Sequence, residues 1–341
     1  MSSSLPVLAH PLSIWLQFAF CVTLIGLAGA RLVRYGDAIA SGTGMSRSWI
    51  GLILVASVTS LPELVTGLSS VTIARAPDLA VGDVLGSCVF NLAILVAVDI
   101  GYRKAPLYGV VSRQHLLSAG FGIVLLASTA LLLLLDQQGR LPALGHVSLA
   151  SPLLLALYLL ALRAIYLGEK REPASGTPEP APMPLRTALT GYTLAGMVVV
   201  FSGLWLPLIG VELAQVMGWS NSLVGTMFVA LATSVPELAT TWAALRIGAV
   251  DLAVGNLLGS NLFDLLILVF DDLAYLDGSL YRAVSGQHVL SALSACLMSG
   301  AVVVALAYRP TTRVRPAGSW ASLALLVIYL LNGLLQYLQD R

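Results

Sequence analysis

The chain has 341 residues, of which 57% are hydrophobic and only 10% are charged. Soluble domains carry about 25% charged residues, so this composition excludes an ordinary soluble protein and indicates one embedded in a lipid bilayer. The formal net charge is +1, which gives no reason to expect a nucleic acid or another polyanion as a partner.

Ten hydropathic stretches follow one another along the chain, each close to the ~20 residues that cross about 30 Å of hydrocarbon. They fall at 12–32, 48–74, 79–98, 115–135, 148–167, 187–208, 221–245, 252–270, 288–307 and 318–338. The sequence therefore predicts an all-α membrane protein with ten transmembrane helices.

The placement of Lys and Arg predicts the orientation of these spans. With the N-terminus outside, 14 of the 18 Lys and Arg residues lie on the cytoplasmic side, and the four outside are Arg75, Arg140, Arg282 and Arg341. Positive residues concentrate on the inner side of membrane proteins. We therefore expect a multi-pass protein of the cell (plasma or cytoplasmic) membrane with both termini outside.

The segment 168–186 interrupts the hydrophobic pattern because it is rich in proline and charged residues. This composition predicts a flexible linker, and the orientation places it in the cytoplasm. It divides the chain into a first half, 1–167, and a second half, 187–341, with five predicted spans each. Each half contains one copy of a sequence repeat, at about 44–98 and at about 218–270.

The two copies of the repeat are closely similar over their second part. DLAVGDVLGSCVFNLAILV at 78–96 and DLAVGNLLGSNLFDLLILV at 251–269 share 13 of 19 residues at a constant offset of 173. An odd number of spans in each half turns the second copy upside down relative to the first. Inverted repeats of this kind are typical of secondary transporters, which bind their substrate near the middle of the membrane.

Each copy also places an acid and two hydroxyls next to a proline inside an apolar span. In TSLPEL at 59–64, Pro62 removes one helical hydrogen bond and frees a backbone carbonyl, and Thr59 and Glu63 share a helix face. Free carbonyls are tolerated inside a membrane only against protein, water or an ion. TSVPEL at 233–238 repeats the arrangement, with Thr233, Pro236 and Glu237 at the matching positions.

The third and eighth predicted spans carry polar stripes at a spacing of one helical turn. The stripes are Asp83, Ser87 and Asn91 in the first copy and Asn256, Ser260 and Asp264 in the second. Acids and amides in lipid are costly, and their duplication indicates a functional site. Carboxylate, amide and hydroxyl oxygens without thiolate or imidazole suit Ca²⁺ or Na⁺ and argue against Zn²⁺ or copper.

These motifs resemble the cation/Ca²⁺ exchanger superfamily, sodium/calcium exchanger-like membrane proteins whose two repeats carry G-T-S-x-P-E and G-N-x-x-G-S-N-x-x-[ND]. The resemblance covers the predicted membrane domain and implies one central site that binds Na⁺ and Ca²⁺ alternately. The implied ligands of the first copy are Thr59, Ser60, Glu63, Ser87 and Asn91, with the carbonyl of Ala56. Those of the second are Thr233, Ser234, Glu237, Ser260 and Asp264, with the carbonyl of Ala230.

The chain departs from the family pattern at a few positions. Val58 and Ala232 replace the motif glycine, and Asp83 and Cys88 stand where asparagine is usual. Two roles fit Asp83: it caps the N-terminal end of its helix, or it is an accessory ion or proton group toward the outer mouth. These departures leave the coupling ion open.

We expect a secondary active antiporter, and not an enzyme, that exchanges Ca²⁺ for Na⁺ by alternating access. The alternative is an H⁺-coupled Ca²⁺ or cation antiporter on the same scaffold, which Asp83, His115 and His288 favour because they titrate. A passive cation channel fits the broken helices less well. The two histidines fit either a structural role or proton sensing.

No cofactor is expected, since Ca²⁺ and Na⁺, with H⁺ as the alternative, are the transported ions. The expected partners are the lipid bilayer and inorganic cations, and neither a nucleic acid nor a protein partner is implied.

Overall fold

The computed structural model describes residues 11–42, 56–169, 183–312 and 318–340. Up to the linker, the elements are α1 (Pro11–Gly42), α2 (Ala56–Thr59), α3 (Leu61–Thr72), α4 (Pro77–Gly101), α5 (Leu107–Val110), α6 (His115–Gln137), β1 (Ala143–Leu144), β2 (Val147–Ser148) and α7 (Ala150–Glu169). After it come α8 (Leu185–Met217), α9 (Asn221–Val224), a π-helical turn (Gly225–Val229), α10 (Ala230–Thr233), α11 (Val235–Arg246), α12 (Val250–Ala274), α13 (Leu280–Ala283), α14 (His288–Tyr308) and α15 (Trp320–Gln339).

The prediction of a helical membrane protein is confirmed. Among the described residues, eight helices are long and apolar enough to cross a membrane, or nine if the bent pair Asn221–Thr233 and Val235–Arg246 is one span. The predicted span 48–74 lies partly outside the described residues, and its described part is α2 and α3. Most of the predicted linker 168–186 also lies outside them, so the count of ten spans stays a prediction.

Both TS-x-PE motifs interrupt a helix, as their prolines predict. The break between α2 and α3 falls at Ser60, and the break between α10 and α11 falls at Ser234, where the helices bend by 42°. Pro62 and Pro236 lie in the first turn of the helix that follows each break. A proline fits there because the N–H groups of the first turn have no partner within the helix.

The central helices α4 and α12 are the most deeply buried of the candidate spans. They contact one another at matching positions of the repeat, because Asn261 Nδ2 donates to the carbonyl of Cys88 at 3.2 Å. The Cys88 Sγ lies 3.8 Å from the carbonyl of Asn261 in return. The two copies of the polar stripe are therefore brought face to face in the middle of the molecule.

These two helices run antiparallel. Arg75, just before α4, lies 3.7 Å from Asp277, just after α12 (Nη1–Oδ2). At the opposite end, the N–H of Ser112, which follows α4, donates to Oδ1 of Asp251 in the first turn of α12 at 2.6 Å. Each helix ends beside the start of the other. A residue that precedes the Cys88–Asn261 contact on α4 therefore lies on the same side of the molecule as a residue that follows this contact on α12.

A buried acid near the C-terminal end of α4 joins it to the last helix of the chain. Asp99 accepts hydrogen bonds from the N–H of Leu107 at 2.8 Å, the N–H of Ser319 at 2.6 Å and the hydroxyl of Ser322 at 2.7 Å. It thereby satisfies donors at the start of α15, where the backbone N–H groups have no partner within the helix.

Asp272, the repeat counterpart of Asp99, makes the same contacts at the end of α12. It accepts from the N–H of Leu280 at 2.9 Å, the N–H of Ser148 at 3.0 Å and the hydroxyl of Ser151 at 2.6 Å. Ser148 and Ser151 precede and begin α7, the last helix before the linker. We call the bonds of Asp99 and Asp272 the helix-end contacts. The bonds from Ser319 and Ser322 to Asp99, and from Ser148 and Ser151 to Asp272, join one half of the chain to the other.

The two histidines bond to acids in the opposite half. His115 Nε2 lies 3.1 Å from Asp251 Oδ1, and His288 Nε2 lies 2.9 Å from Asp78 Oδ1. Asp78 also accepts from the N–H of Ser285 at 2.7 Å, as Asp251 does from that of Ser112. These bonds support the structural role expected for the histidines.

The helices α1 and α8 pack over the two helix breaks. A Cβ at Gly29 of α1 would lie less than 3 Å from Pro236, beside the break in the second half. A Cβ at Gly203 of α8 would lie 2.9 Å from Val65, beside the break in the first half. Glycine therefore permits close helix contact at both places.

Candidate functional site

The predicted side-chain ligands lie together between the two helix breaks and the contact of α4 with α12. All ten residues are buried, and at most 1% of the surface of each is exposed to solvent. They are Thr59, Ser60, Glu63, Ser87, Asn91, Thr233, Ser234, Glu237, Ser260 and Asp264. We call them the central cluster.

The two glutamates are each bonded by a serine from the opposite half. Ser60 Oγ donates to Glu237 Oε1 at 3.5 Å, and Ser234 Oγ donates to Glu63 Oε1 at 3.3 Å. Both serines occupy the interruption of their helix, where the chain turns between two helical segments. The break in each half therefore positions the hydroxyl that contacts the other half's acid.

Further hydroxyls connect the breaks to the polar stripes. Thr59 Oγ1 lies 3.2 Å from Ser260 Oγ, and Ser234 Oγ lies 3.1 Å from Ser87 Oγ. Ser260 Oγ also donates to Glu237 Oε1 at 3.5 Å. The structure thus brings the predicted Thr and Ser ligands next to the acids.

The central cluster contains buried oxygens that have no hydrogen-bond donor. Asn91 Nδ2 donates to Asp264 Oδ2 at 3.4 Å, but four oxygens of the cluster have no partner within the described ranges. They are Glu63 Oε2, Asn91 Oδ1, Glu237 Oε2 and Asp264 Oδ1. Buried polar atoms are nearly always satisfied, so these four atoms indicate room for a ligand that supplies positive charge.

The chemistry of the cluster fits a hard cation that is bound by mixed oxygens. Within the described ranges, no three His, Cys, Asp or Glu residues converge closely enough to hold a metal ion by themselves. A cation here would need hydroxyl and amide oxygens as well as carboxylates. Ca²⁺ accepts 6–8 such oxygens in irregular geometry.

The two backbone carbonyls predicted as ligands belong to residues at matching places, since Ala56 and Ala230 each begin the short helix before a break. The Ala230 carbonyl accepts from the N–H of Ser234 at 3.1 Å and from Thr233 Oγ1 at 3.2 Å, so it is already bonded. Ala56 is the first residue of α2. The ligand roles of both alanines stay predictions.

Asp83 does not cap its helix, so that part of the prediction was wrong. The helix α4 begins at Pro77, before the predicted start at 79, and its first-turn acid is Asp78. Asp83 lies more than a turn inside, where Oδ1 accepts from Thr233 Oγ1 at 2.8 Å and Oδ2 has no partner. It therefore adds a fourth buried acid beside the central cluster.

The structure also contains a buried acid that the sequence analysis did not select. Asp271 is fully buried in the last turn of α12, and neither of its carboxylate oxygens has a hydrogen-bond partner among the described residues. The predicted eighth span ended at 270, and the repeat counterpart of Asp271 is Val98, so a search for duplicated acids passes over it. The signal that would have found it is an acid two turns beyond Asp264 on the same helix face.

A model of the family described as "Sodium/calcium exchanger protein" matches residues 13–167 and 187–338 of this chain. The chain is also similar to a putative antiporter, CaxA, of Alkalimonas amylolytica, with 27% identity over 274 residues that cover 78% of this chain and 82% of CaxA. The family model leaves out the whole predicted linker, 168–186.

Two solved structures show the same fold. The H⁺/Ca²⁺ exchanger CAX aligns with a TM-score of 0.70 and 16% identity over 96% of this chain and 86% of CAX. The sodium-calcium exchanger NCX_Mj, soaked with Na⁺ and Sr²⁺, aligns with a TM-score of 0.60 and 21% identity over 94% of this chain and 98% of its own. The chain belongs to the sodium/calcium exchanger protein family, whose members are membrane antiporters and not enzymes.

Proposed function

We propose that this protein exchanges Ca²⁺ for Na⁺ by alternating access through the central cluster. The observation that carries the proposal is the reciprocal bonding of the two acids, in which Ser60 holds Glu237 and Ser234 holds Glu63. Neither half completes the cluster alone. A change in how the halves pack would therefore alter the cation ligands directly.

Charge supplies the coupling between the two ions. Glu63, Glu237 and Asp264 act on one another electrostatically in a dry interior, where like charges repel far more strongly than in water. Cations that neutralise these acids stabilise the packed state. Because Ca²⁺ and Na⁺ would use the same acids, binding of one excludes the other, and competition of this kind produces exchange.

The remaining residues complete the proposed ligand set. Asn91 and Asp264 close the ring around the two glutamates, while the Ser and Thr hydroxyls, with the carbonyls of Ala56 and Ala230, serve Na⁺. Asp264 carries a proton in one loaded state, which limits unbalanced charge. Asp83 is an accessory group.

The proposed moving elements are α1 and α8, which lack the motif acids. They contact the two helix breaks through Gly29 at Pro236 and Gly203 at Val65, so sliding of this pair over the breaks would open the cluster to one side or the other. This proposal includes ten spans in two inverted halves, 1–167 and 187–341, with both termini outside the cell membrane.

The relatives support exchange of Ca²⁺ but differ in the coupling ion. CAX is an H⁺/Ca²⁺ exchanger and NCX_Mj a sodium-calcium exchanger by their names. We favour Na⁺ because the hydroxyls beside the acids, such as Thr59 and Ser260 at 3.2 Å, are ligands that a proton does not need. Coupling to H⁺ is the second candidate, since the buried acids also accept protons.

The deciding experiment measures ⁴⁵Ca²⁺ uptake into proteoliposomes that contain the purified full-length protein. An outward Na⁺ gradient at equal pH should drive uptake, and a pH gradient without Na⁺ should not. Uptake that depends on the pH gradient and not on Na⁺ would show that transport is coupled to H⁺ and would refute coupling to Na⁺. Flux that needs no counter-ion would indicate a channel.

A further inference from the structure

The acid Asp271, which has no role in the central cluster, packs against α3 at Gly67, where the helix has no side chain. A Cβ placed on Gly67 of α3 would lie 2.6 Å and 2.7 Å from the two carboxylate oxygens of Asp271. Glycine therefore creates the space that the carboxylate occupies. Both oxygens are buried and without a hydrogen-bond partner in the described part of the chain.

The helix face around Gly67 supplies further oxygens. Glu63 lies one turn before Gly67, and Ser70 lies one turn after it, so the three positions share a face. The hydroxyl of Ser70 is buried and has no hydrogen-bond partner, and the same holds for the neighbouring Thr66. A row of unsatisfied oxygens thus leads from the central cluster along about 10 Å of α3.

The opposite side of the molecule lacks these groups. The repeat counterparts of Asp271, Gly67 and Ser70 are Val98, Thr241 and Ala244. Thr241 Oγ1 already accepts a bond from Asn256 Nδ2 at 3.3 Å. The acid and the space beside it therefore exist on one side of the central cluster only.

A second unduplicated acid lies on the same side. Because α4 and α12 are antiparallel, Asp83, before their contact on α4, lies on the side of Asp271, after the contact on α12. Asp83 and Asp271 interact electrostatically, and Oδ2 of Asp83 has no partner. Arg75 and Asp277 lie at the end of the helices on this side. The orientation predicted from the Lys and Arg distribution places Arg75 outside, so we call this side the outer side.

A bare carboxylate in this position requires compensation. An ionised carboxylate in a dry interior is strongly unfavourable unless a donor, a cation or a proton neutralises it. The described residues provide no donor. A proton on Asp271 would leave the buried hydroxyl oxygens of Thr66 and Ser70 without a partner, whereas a cation would bond to hydroxyl oxygens as well as to the carboxylate.

We propose that Asp271, together with the hydroxyl of Ser70, binds a hard cation on the outer side of the central cluster. This site is a one-sided entry site for Ca²⁺, between one and two helical turns from Glu63 along α3. Its transport role rests on the proposed function, but its binding of Ca²⁺ does not.

Equilibrium binding of ⁴⁵Ca²⁺ to the purified full-length protein tests the site without transport. The wild type should show a tight and a weaker component, and Asp271→Asn should remove only the weaker one. Glu237→Gln should remove the tight component and leave the weaker one. Gly67→Ala, which fills the space, should act like Asp271→Asn, while Asp277→Asn, an exposed acid on the same side, should leave both components intact.

Sided transport gives the second test. For Ca²⁺ that enters from the outer side, Asp271→Asn should raise the apparent KM about tenfold, because the affinity of Ca²⁺ sites depends on the number of charged ligands. The KM from the inner side should not change. An effect of equal size on both sides would contradict an outer site.

The outcomes separate this proposal from the antiport itself. Loss of the weaker component in a protein without Na⁺-driven flux would support the site and refute the proposed function. Retention of both components in Asp271→Asn would overturn the site, even if exchange is confirmed. A change confined to the pH profile, with both components present, would assign Asp271 to protons and also overturn it.

Discussion

The two sides of the contact between α4 and α12 are alike in their backbone contacts and unlike in their acids. At the ends of the helices, Asp99 and Asp272 each accept hydrogen bonds from two backbone N–H groups and one serine hydroxyl. Directly before Asp272, one side contains Asp271 beside Gly67 of α3, while the other contains Val98 and Thr241 at the same positions.

The contacts that stabilise the fold are therefore duplicated, whereas the acid that distinguishes the two sides of the molecule is not. Duplicated contacts join the halves in the same way twice, so they preserve the packing whichever side is open. Under the proposed entry site, residues that occur once would give the outer side an acid that has no counterpart at the matching position of the inner side. A transporter assembled from two similar halves thereby acquires a direction-dependent chemistry through very few substitutions.

The largest expected effect comes from the residues common to both sides. Glu63→Gln and Glu237→Gln should each lower Ca²⁺ transport by about 100-fold, since the loss of one charged partner in a buried pair costs about 2–5 kcal/mol. Initial rates of ⁴⁵Ca²⁺ uptake measure it. The loss should be equal from the two sides, and unchanged transport in either variant, at normal yield and elution volume, would refute the shared site.

A smaller and symmetric effect is expected at the helix-end contacts. Asp99→Asn and Asp272→Asn should each destabilise the protein by about 2–3 kcal/mol, because an amide N–H₂ would face donors that now bond to a charged oxygen. Thermal unfolding in detergent at a fixed scan rate, with Asp277→Asn as the exposed control, measures it. Marked destabilisation by only one of the two would show that the contacts are not equivalent.

The smallest effect should come from Asp83→Asn, which makes this position identical to its counterpart Asn256. Asn keeps an oxygen for the bond from Thr233, but the negative charge near Asp271 is lost. The apparent KM for Ca²⁺ from the outer side should rise about threefold, or ~0.6 kcal/mol. If Asp83→Asn raised this KM more than Asp271→Asn does, Asp83 and not Asp271 would be the main acid of the outer site.

Much of the fold and of the candidate site was predictable from local sequence. The breaks at Ser60 and Ser234 follow from Pro62 and Pro236, because proline removes a helical bond wherever it stands. The gathering of the ten side-chain ligands was predictable from the repeat, since duplicated polar groups in lipid must face one another or water.

The pairing of side chains between the halves was not predictable. Ser60 bonds to Glu237, and Ser319 bonds to Asp99, across sequence separations of 177 and 220 residues. A local sequence pattern carries no information about such distant pairs. The capping role of Asp83 failed because the helix start at Pro77 was placed two residues late. Asp271 was missed because a search for duplication is blind to the residues that differ.

The helix-end contact of Asp99 also orders events during synthesis of the chain. Its partner Ser319 follows 220 positions later, which at about 5–20 residues per second is a delay of roughly 10–45 s. During that interval a buried acid of an early helix has no donor from the late one. Leu107 supplies one donor early, but Asp99 gains its full set of donors only when nearly the whole chain has been made, so we expect this end of α4 to reach its final packing late in synthesis.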